Sequence, residues 1–157
     1  MIEIERKFLI DATMLPGCLT PTRIAQGYLN QDPDKTVRIR IAGDKGFITI
    51  KGKSSDNGLS RYEWEKEIDL NDAKDLLGMC SNIIDKSRYH MIHQGKLWEI
   101  DVFHGLNEGL VVAEIELTSE TELFNLPEWI TQEVTGNPDY YNSNLAVCPF
   151  KWWFEYE

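Results

Sequence analysis

Glu3, Glu5 and Lys7 alternate with Ile2 and Ile4 at the start of the chain. On a strand, alternate side chains share a face, so two acids and a base would line one side and apolar residues the other. The pattern returns along the chain: Arg38 and Arg40; Thr49 and Lys51; Glu63, Glu65 and Glu67; Lys86, Arg88 and His90; Glu99 and Asp101; Glu114 and Glu116. Carboxylates two residues apart on a strand are about 6.5 Å apart, so several strands can present them around one point. Hard divalent cations such as Mg²⁺ prefer oxygen ligands and share them with phosphate oxygens. Arginine and lysine complement phosphate by charge and hydrogen bonding. Acidic and basic sectors together suit a metal–polyphosphate complex, and phosphoryl transfer depends mainly on positioning and charge neutralisation.

The elements that must position these groups are mostly strands. Alternation suggests about eight of them: Ile2–Ile10, Arg23–Asn30, Thr36–Ala42, Phe47–Gly52, Arg61–Leu70, Ile83–Met91, Lys96–Phe103 and Leu110–Thr118. Gly43–Gly46, Gln94-Gly95 and His104–Gly109 read as hairpin turns, and the polar stretch Lys53–Ser60 as a mobile loop. Asn71 can cap a short helix through Met79, Ser119-x-x-Glu122 has capping-box form, and a third helix is expected from about Tyr140 to Val147. The pattern leaves the structure of the aromatic tail Phe150–Tyr156 open.

Alternation alone also fits an antiparallel sheet with one wet face and one buried face. Two details favour closure. The polar face is nearly all Glu, Asp, Lys and Arg, and the signs are blocked by strand: basic pairs on the third and sixth, acidic pairs on the first, fifth, seventh and eighth. A face built only for solubility mixes signs along each strand. The expected fold is therefore α+β but mainly β: an eight-stranded antiparallel closed barrel with charges inside, a few short outer helices and a C-terminal helix. Unpaired buried ions cost several kcal/mol each, so the lumen must be wet, metal-filled or occupied by a charged ligand.

At 157 residues the chain fits one domain, 1–157, with a real core. Its net charge of −10 disfavours nucleic acid and anionic lipid as general partners. No apolar run approaches a membrane span and no secretory h-region follows Met1. Cys18, Cys80 and Cys148 are odd in number and widely spaced, which suits a reducing cytoplasm better than a disulfide frame or zinc site. Gly52-Lys53-Ser54 lacks the spacing of a phosphate loop, and no HExxH or nucleophilic triad is present.

The ordered series Glu3-x-Glu5-x-Lys7, Gln26-Gly-Tyr28, Arg38-x-Arg40, Thr49-x-Lys51, Arg61-x-Glu63-x-Glu65, Lys86-x-Arg88, Glu99-x-Asp101 and Glu114-x-Glu116 resembles the CYTH domain, the triphosphate tunnel metalloenzymes, over nearly the whole chain. The resemblance implies that Lys7, Tyr28, Arg38, Arg40, Lys51, Lys86 and Arg88 contact a triphosphate. It implies that Glu3, Glu5, Glu63, Glu65, Asp101, Glu114 and Glu116 hold or support Mg²⁺ or Mn²⁺. Small bacterial members of this type often carry a lysine beside the asparagine of the C-terminal helix; here the segment is Asn142-Ser143-Asn144-Leu145, so a phosphate contact from it is not expected.

The activity this implies is metal-dependent hydrolysis of inorganic tripolyphosphate to pyrophosphate and phosphate. Other organic triphosphates (nucleoside or thiamine), adenylyl cyclisation and a non-catalytic polyphosphate- or nucleotide-binding module are the rival readings. Trp152, Trp153, Phe154 and Tyr156 either pack on the barrel or form a homodimer patch.

Overall fold

The structure, a computed structural model, describes residues 1–155. These residues form nine strands: β1 (Ile2–Ile10), β2 (Thr22–Tyr28), β3 (Lys35–Ala42), β4 (Lys45–Ser54), β5 (Ser60–Ile68), β6 (Ile84–His93), β7 (Lys96–Phe103), β8 (Val111–Glu116) and β9 (Ile130–Glu133). Helix α1 (Leu70–Leu77) follows β5, and the four-residue α2 (Asn142–Leu145) follows β9.

The sheet runs β5-β4-β3-β2-β6-β7-β8-β1, and β5 pairs back to β1. Eight antiparallel strands therefore close into a barrel. The ninth, β9, was not anticipated, because four residues with one apolar member carry little alternation. It lies on the edge of β1 that β5 leaves free: Ile2–Ile4 pair with β5, whereas Phe8–Ile10 pair with β9.

Directly opposed residues in an antiparallel ladder share a face. The register sets Glu3 opposite Arg61, Lys7 opposite Glu114, Glu5 opposite Glu116, Lys51 opposite Glu63, and Arg88 opposite Asp101. All of these are on the inner face of the sheet, and all but the buried Asp101 reach a cavity. Trp98, Ile100, Ala113, Ile115 and Phe8 occupy the outer face of β7, β8 and β1 and pack beneath Leu117 and Trp129. The segment between β8 and β9 thus gives this wall its hydrophobic cover. Burial of each of the larger aliphatic or phenyl side chains is worth about 1.5–3 kcal/mol.

At one end of the barrel the inward positions stop being charged. Leu9, Ile84, Phe103 and Val112 continue the parity of Lys7, Lys86, Asp101 and Glu114, and they bury against Leu145, Phe150 and Trp153. The C-terminal segment is therefore a cap over that end. Its tail forms a short 3-10 turn, Phe150–Phe154, in which Phe150 and Trp153 pack inward while Trp152 and Phe154 remain exposed. Tyr156 lies outside the described residues.

Several local expectations change. The cap of α1 is Asp69, whose carboxylate accepts from the backbone N–H groups of Asn71 and Asp72, so β5 ends at Ile68 and Asn71 is already helical. No helix follows Ser119. Glu122 turns back to accept from the Thr118 backbone and hydroxyl and from Lys96, and Pro127 disfavours helical geometry just downstream. The expected helix over Tyr140–Val147 is broken by extended Tyr141 into a 3-10 turn, Pro138–Tyr140, and α2.

The loop after β4 is shorter than expected and is tied down. Ser55 and Ser60 bond reciprocally, Asn57 and Ser60 donate to Glu120, and Gly58 packs against Gly136. Both glycines have positive φ, +75° and +77°, and a Cβ on Gly58 would stand 2.3 Å from the Gly136 Cα. Only glycine allows that backbone contact.

Candidate active site: a charged tunnel

The inward side chains line two adjoining cavities along the barrel axis. The wider, about 540 Å³, lies toward one mouth and is rimmed by Glu63, Glu65, Glu99 and Glu116. The narrower, about 80 Å³, lies toward the capped end and is lined by Lys7, Tyr28, Thr36, Arg61, Lys86, Tyr141 and Asn142. Glu3, Glu5, Arg38, Arg40, Lys51, Arg88 and Glu114 face both. The lumen is thus graded from an acidic mouth to a basic interior.

Arg38 and Arg40 sit side by side on β3. Arg38 donates to the Thr49 hydroxyl at 3.0 Å, while its Nε is buried with no partner among the described residues. Arg40 Nε donates to the Gln26 amide oxygen at 3.0 Å. Burial, then the neighbouring Arg38 and Arg88, push the Arg40 pKa down to about 9. Among the described residues no carboxylate forms a salt bridge with either guanidinium. Two adjacent cations without counter-ions are costly in a protein interior, and an anion between them removes that cost.

Lys86 and Arg88 are arranged differently. Lys86 Nζ lies 2.7 Å from Asp101 Oδ2, and Arg88 grips the same carboxylate through two bonds of 2.7 and 2.9 Å. Arg88 also reaches Glu99 at 2.8 Å. Despite its burial, Asp101 is held well below the carboxylate range by these two cations. Burial brings Lys86 down to about 7 against the pull of Asp101, with Arg88 and Arg40 reinforcing the shift. Asp101 lines neither cavity. It anchors the basic wall from behind, and Glu99, two residues earlier on the same face, reaches the lumen instead.

The carboxylates form close like-charged sets. Glu5 is deep in the molecule, and burial followed by Glu114 raises its pKa well above normal. Glu3 is raised by burial and by the neighbouring Glu63, although Lys51 donates to it at 2.9 Å. Glu114 is pulled down to about 2 by Lys7, Arg88 and Lys86 despite burial and the opposing Asp101. Lys7 sits 3.5 Å from Glu114 and 5.5 Å from the Tyr141 ring. Among the described residues, no three acidic, histidine or cysteine side chains already converge as a metal cage. The set is nevertheless all-oxygen, with Glu3, Glu5 and Glu63 gathered around Lys51, which fits a hard cation that also draws ligands from a substrate.

Of the expected phosphate-side residues, Lys7, Tyr28, Arg38, Arg40, Lys51, Lys86 and Arg88 all face the lumen; of the acidic set, Glu3, Glu5, Glu63, Glu65, Glu114 and Glu116 do. Arg61 points inward and donates to Gly52 O and Thr36 Oγ1. Thr36, Thr49, Gln26 and Asn142 were not anticipated as site residues. Strand parity reaches the first three, but nothing in the sequence marks neutral side chains as part of a charged site.

A closed antiparallel barrel with a capped, sign-graded lumen defines a charged-tunnel protein. The chain belongs to the CYTH domain family, whose model matches residues 1–144. It is 45% identical over 151 residues to an inorganic triphosphatase of Acetivibrio thermocellus, covering 95% of this chain and 96% of that protein. It is 38% identical over 152 residues to an inorganic triphosphatase of Nitrosomonas europaea, covering 94% and 98%. The crystal structure of the inorganic triphosphatase NE1496 superposes with a TM-score of 0.66 at 34% identity, covering 92% of this chain and 97% of that one. Among the described residues no helix is long and apolar enough to cross a membrane.

Proposed function

We propose that this protein hydrolyses inorganic tripolyphosphate to pyrophosphate and phosphate within the tunnel, with a divalent cation as cofactor. The observation that carries the reading is the uncompensated pair Arg38 and Arg40. A triphosphate supplies the missing negative charge, and the guanidinium forks match its oxygens. Lys7, Lys51, Lys86, Arg88 and Tyr28 complete the basic wall that binds and orients the phosphate chain. The names of the two bacterial relatives support the same substrate.

Glu3, Glu5, Glu63, Glu65, Glu114 and Glu116 are the residues that would hold Mg²⁺ or Mn²⁺. When bound, such a cation neutralises phosphate charge and lowers the pKa of water. Asp101 serves the site by fixing Lys86 and Arg88. Water adds to one terminal phosphorus, the P–O bond to the rest of the chain breaks, and the basic wall stabilises the charge on the departing pyrophosphate. A carboxylate of the acidic sector accepts the proton that the water gives up. The low-dielectric barrel wall around the lumen strengthens each of these interactions.

The test is an assay with tripolyphosphate, ATP and thiamine triphosphate, each with Mg²⁺, Mn²⁺ or chelator, following phosphate, pyrophosphate and cyclic AMP. Metal-dependent release of phosphate and pyrophosphate from tripolyphosphate is expected. Tight binding without turnover would make the protein a binding module, and cyclic AMP from ATP would make it a cyclase. The free thiols Cys18 and Cys148 are exposed, which supports a reducing, cytoplasmic setting. A homodimer across the exposed Trp152 and Phe154 is checked by sedimentation of the whole chain against one ending at Phe150.

A further inference from the structure

Gln26 is 0% exposed, yet all its hydrogen-bonding atoms act on other side chains. Its oxygen accepts from Arg40 Nε at 3.0 Å, and its amide nitrogen donates to Tyr28 Oη at 3.0 Å and to Asn142 Oδ1 at 3.2 Å. The same Asn142 oxygen accepts from Lys86 Nζ at 3.0 Å. One neutral side chain therefore links β3 and the C-terminal cap, and through Asn142 it reaches β6.

We propose that Gln26 is a positioning residue for the reaction described above: it aims Arg40 at the phosphate chain without cancelling its charge, and through Asn142 it keys that arginine and Lys86 to the C-terminal cap. The inference rests on the tripolyphosphate reading of the tunnel.

The chemistry of the neighbours decides between this role and simple polar filling. A glutamate at position 26 would hold the same Nε–H more strongly, because charge-assisted bonds are the stronger ones. It would also neutralise Arg40, as Asp101 does for Lys86 and Arg88. An apolar residue would fill the space beside Ile24 and Ile84 but leave Arg40 Nε, Tyr28 Oη and Asn142 Oδ1 each with one partner fewer. Only a neutral side chain with an acceptor at one end and donors at the other fixes Arg40 and leaves its charge for a ligand. The Asn142 oxygen, in turn, gives Lys86 a second anchor beside Asp101, on a segment that moves only if the cap moves.

Q26E and Q26M, alone and with R40M, provide the test, read as KM and kcat for tripolyphosphate and as thermal midpoint. Q26E is expected to raise KM about tenfold or more with little change in thermal midpoint, and Q26M to raise it by a similar or smaller factor. In the R40M background neither substitution should add to the loss, since the residue acts through Arg40. A normal KM in Q26E, or the same penalty with and without Arg40, would overturn the proposal. A second readout is independent of turnover: the Arg40 Nε–H proton, followed by nuclear magnetic resonance in the free protein. It should be protected in wild type and exchange faster in Q26M, and equal protection in both would sink the idea even if the tripolyphosphate reading stood. If tripolyphosphate proves not to be a substrate, loss of that protection still identifies the Gln26–Arg40 link, and only the function assigned to the tunnel is lost.

Discussion

Lys86 and Arg88 share a single buried carboxylate, Asp101, whose oxygens lie 2.7 Å from the lysine and 2.7 Å from the arginine Nε. Two residues on β6 and one on β7 thus form a prepaid unit of the basic wall, whereas Arg38 and Arg40, on β3 beyond β2, have no such partner among the described residues. The protein keeps part of its positive charge anchored and part available.

Removing the anchor should be expensive for folding. Asp101→Asn leaves Lys86 without its counter-ion and Arg88 with Glu99 alone, and loss of one partner from a buried network costs about 3–5 kcal/mol. Guanidinium denaturation should show this loss. Saturating tripolyphosphate should recover part of it, because the ligand binds only the folded state and supplies negative charge to the same wall. A stability equal to wild type would show that Asp101 is not the anchor.

Arg38 should behave in the opposite way. Its Nε is buried and unpaired, so Arg38→Met removes a group that strains the free protein. The thermal midpoint without ligand should stay level or rise, by the equivalent of about 1–2 kcal/mol. Tripolyphosphatase kcat/KM should fall by about two orders of magnitude or more, the scale on which loss of a charge-stabilising donor acts. Normal activity in this variant would remove the guanidinium pair from the mechanism.

Stability should depend on pH with a sign that metal reverses. Glu3 and Glu5 hold protons more tightly in the folded chain than in the unfolded one. Their contribution is present below the ordinary carboxylate pKa and is lost as pH rises through their raised folded values. Glu114, at about 2, and Asp101 act oppositely: their contribution is present above the ordinary value and lost as pH falls through the depressed one. In chelator, the thermal midpoint should therefore be greatest in mild acid, about pH 5, decline toward neutrality and fall again in strong acid. Saturating Mg²⁺ or Mn²⁺ should abolish the decline toward neutrality. A profile that is the same with and without metal would argue against Glu3 and Glu5 as its ligands.

Gly58→Ala should loosen the side of the narrow chamber. Positive φ and the approach to Gly136 leave no room for a methyl group, and the left-handed conformation alone costs about 1 kcal/mol or more outside glycine. Hydrogen exchange should accelerate over residues 55–60 and 134–137 while the opposite wall around Trp98 stays protected. Uniform acceleration across the barrel would mean that the contact belongs to global stability instead.

Much of this architecture was legible before folding, for a simple reason. A two-residue period places Glu3, Glu5 and Lys7, or Arg38 and Arg40, on one face whatever the strand does next. The hairpin at Gln94-Gly95, with positive φ at both residues, was likewise written locally, since a tight turn between twisted strands needs that geometry. Helix starts were less legible. Asp69 and Asn71 are both good caps, and Glu122 suits a capping box as well as it suits the turn it makes with Thr118 and Lys96. Local chemistry offers such alternatives, and packing chooses among them.

The sequence by itself therefore determined which side chains face together, the alternation of strands and the sorting of acids and bases among them. Only the tertiary structure decided that β5 returns to β1, that Asp101 sits behind the basic wall while Glu99 reaches the lumen, and that Gln26 meets Asn142 across 116 residues. Parity is a property of one strand and needs no neighbour. The distance between two charges, and hence whether they cancel each other or await a ligand, is set by which strands lie side by side and in what register.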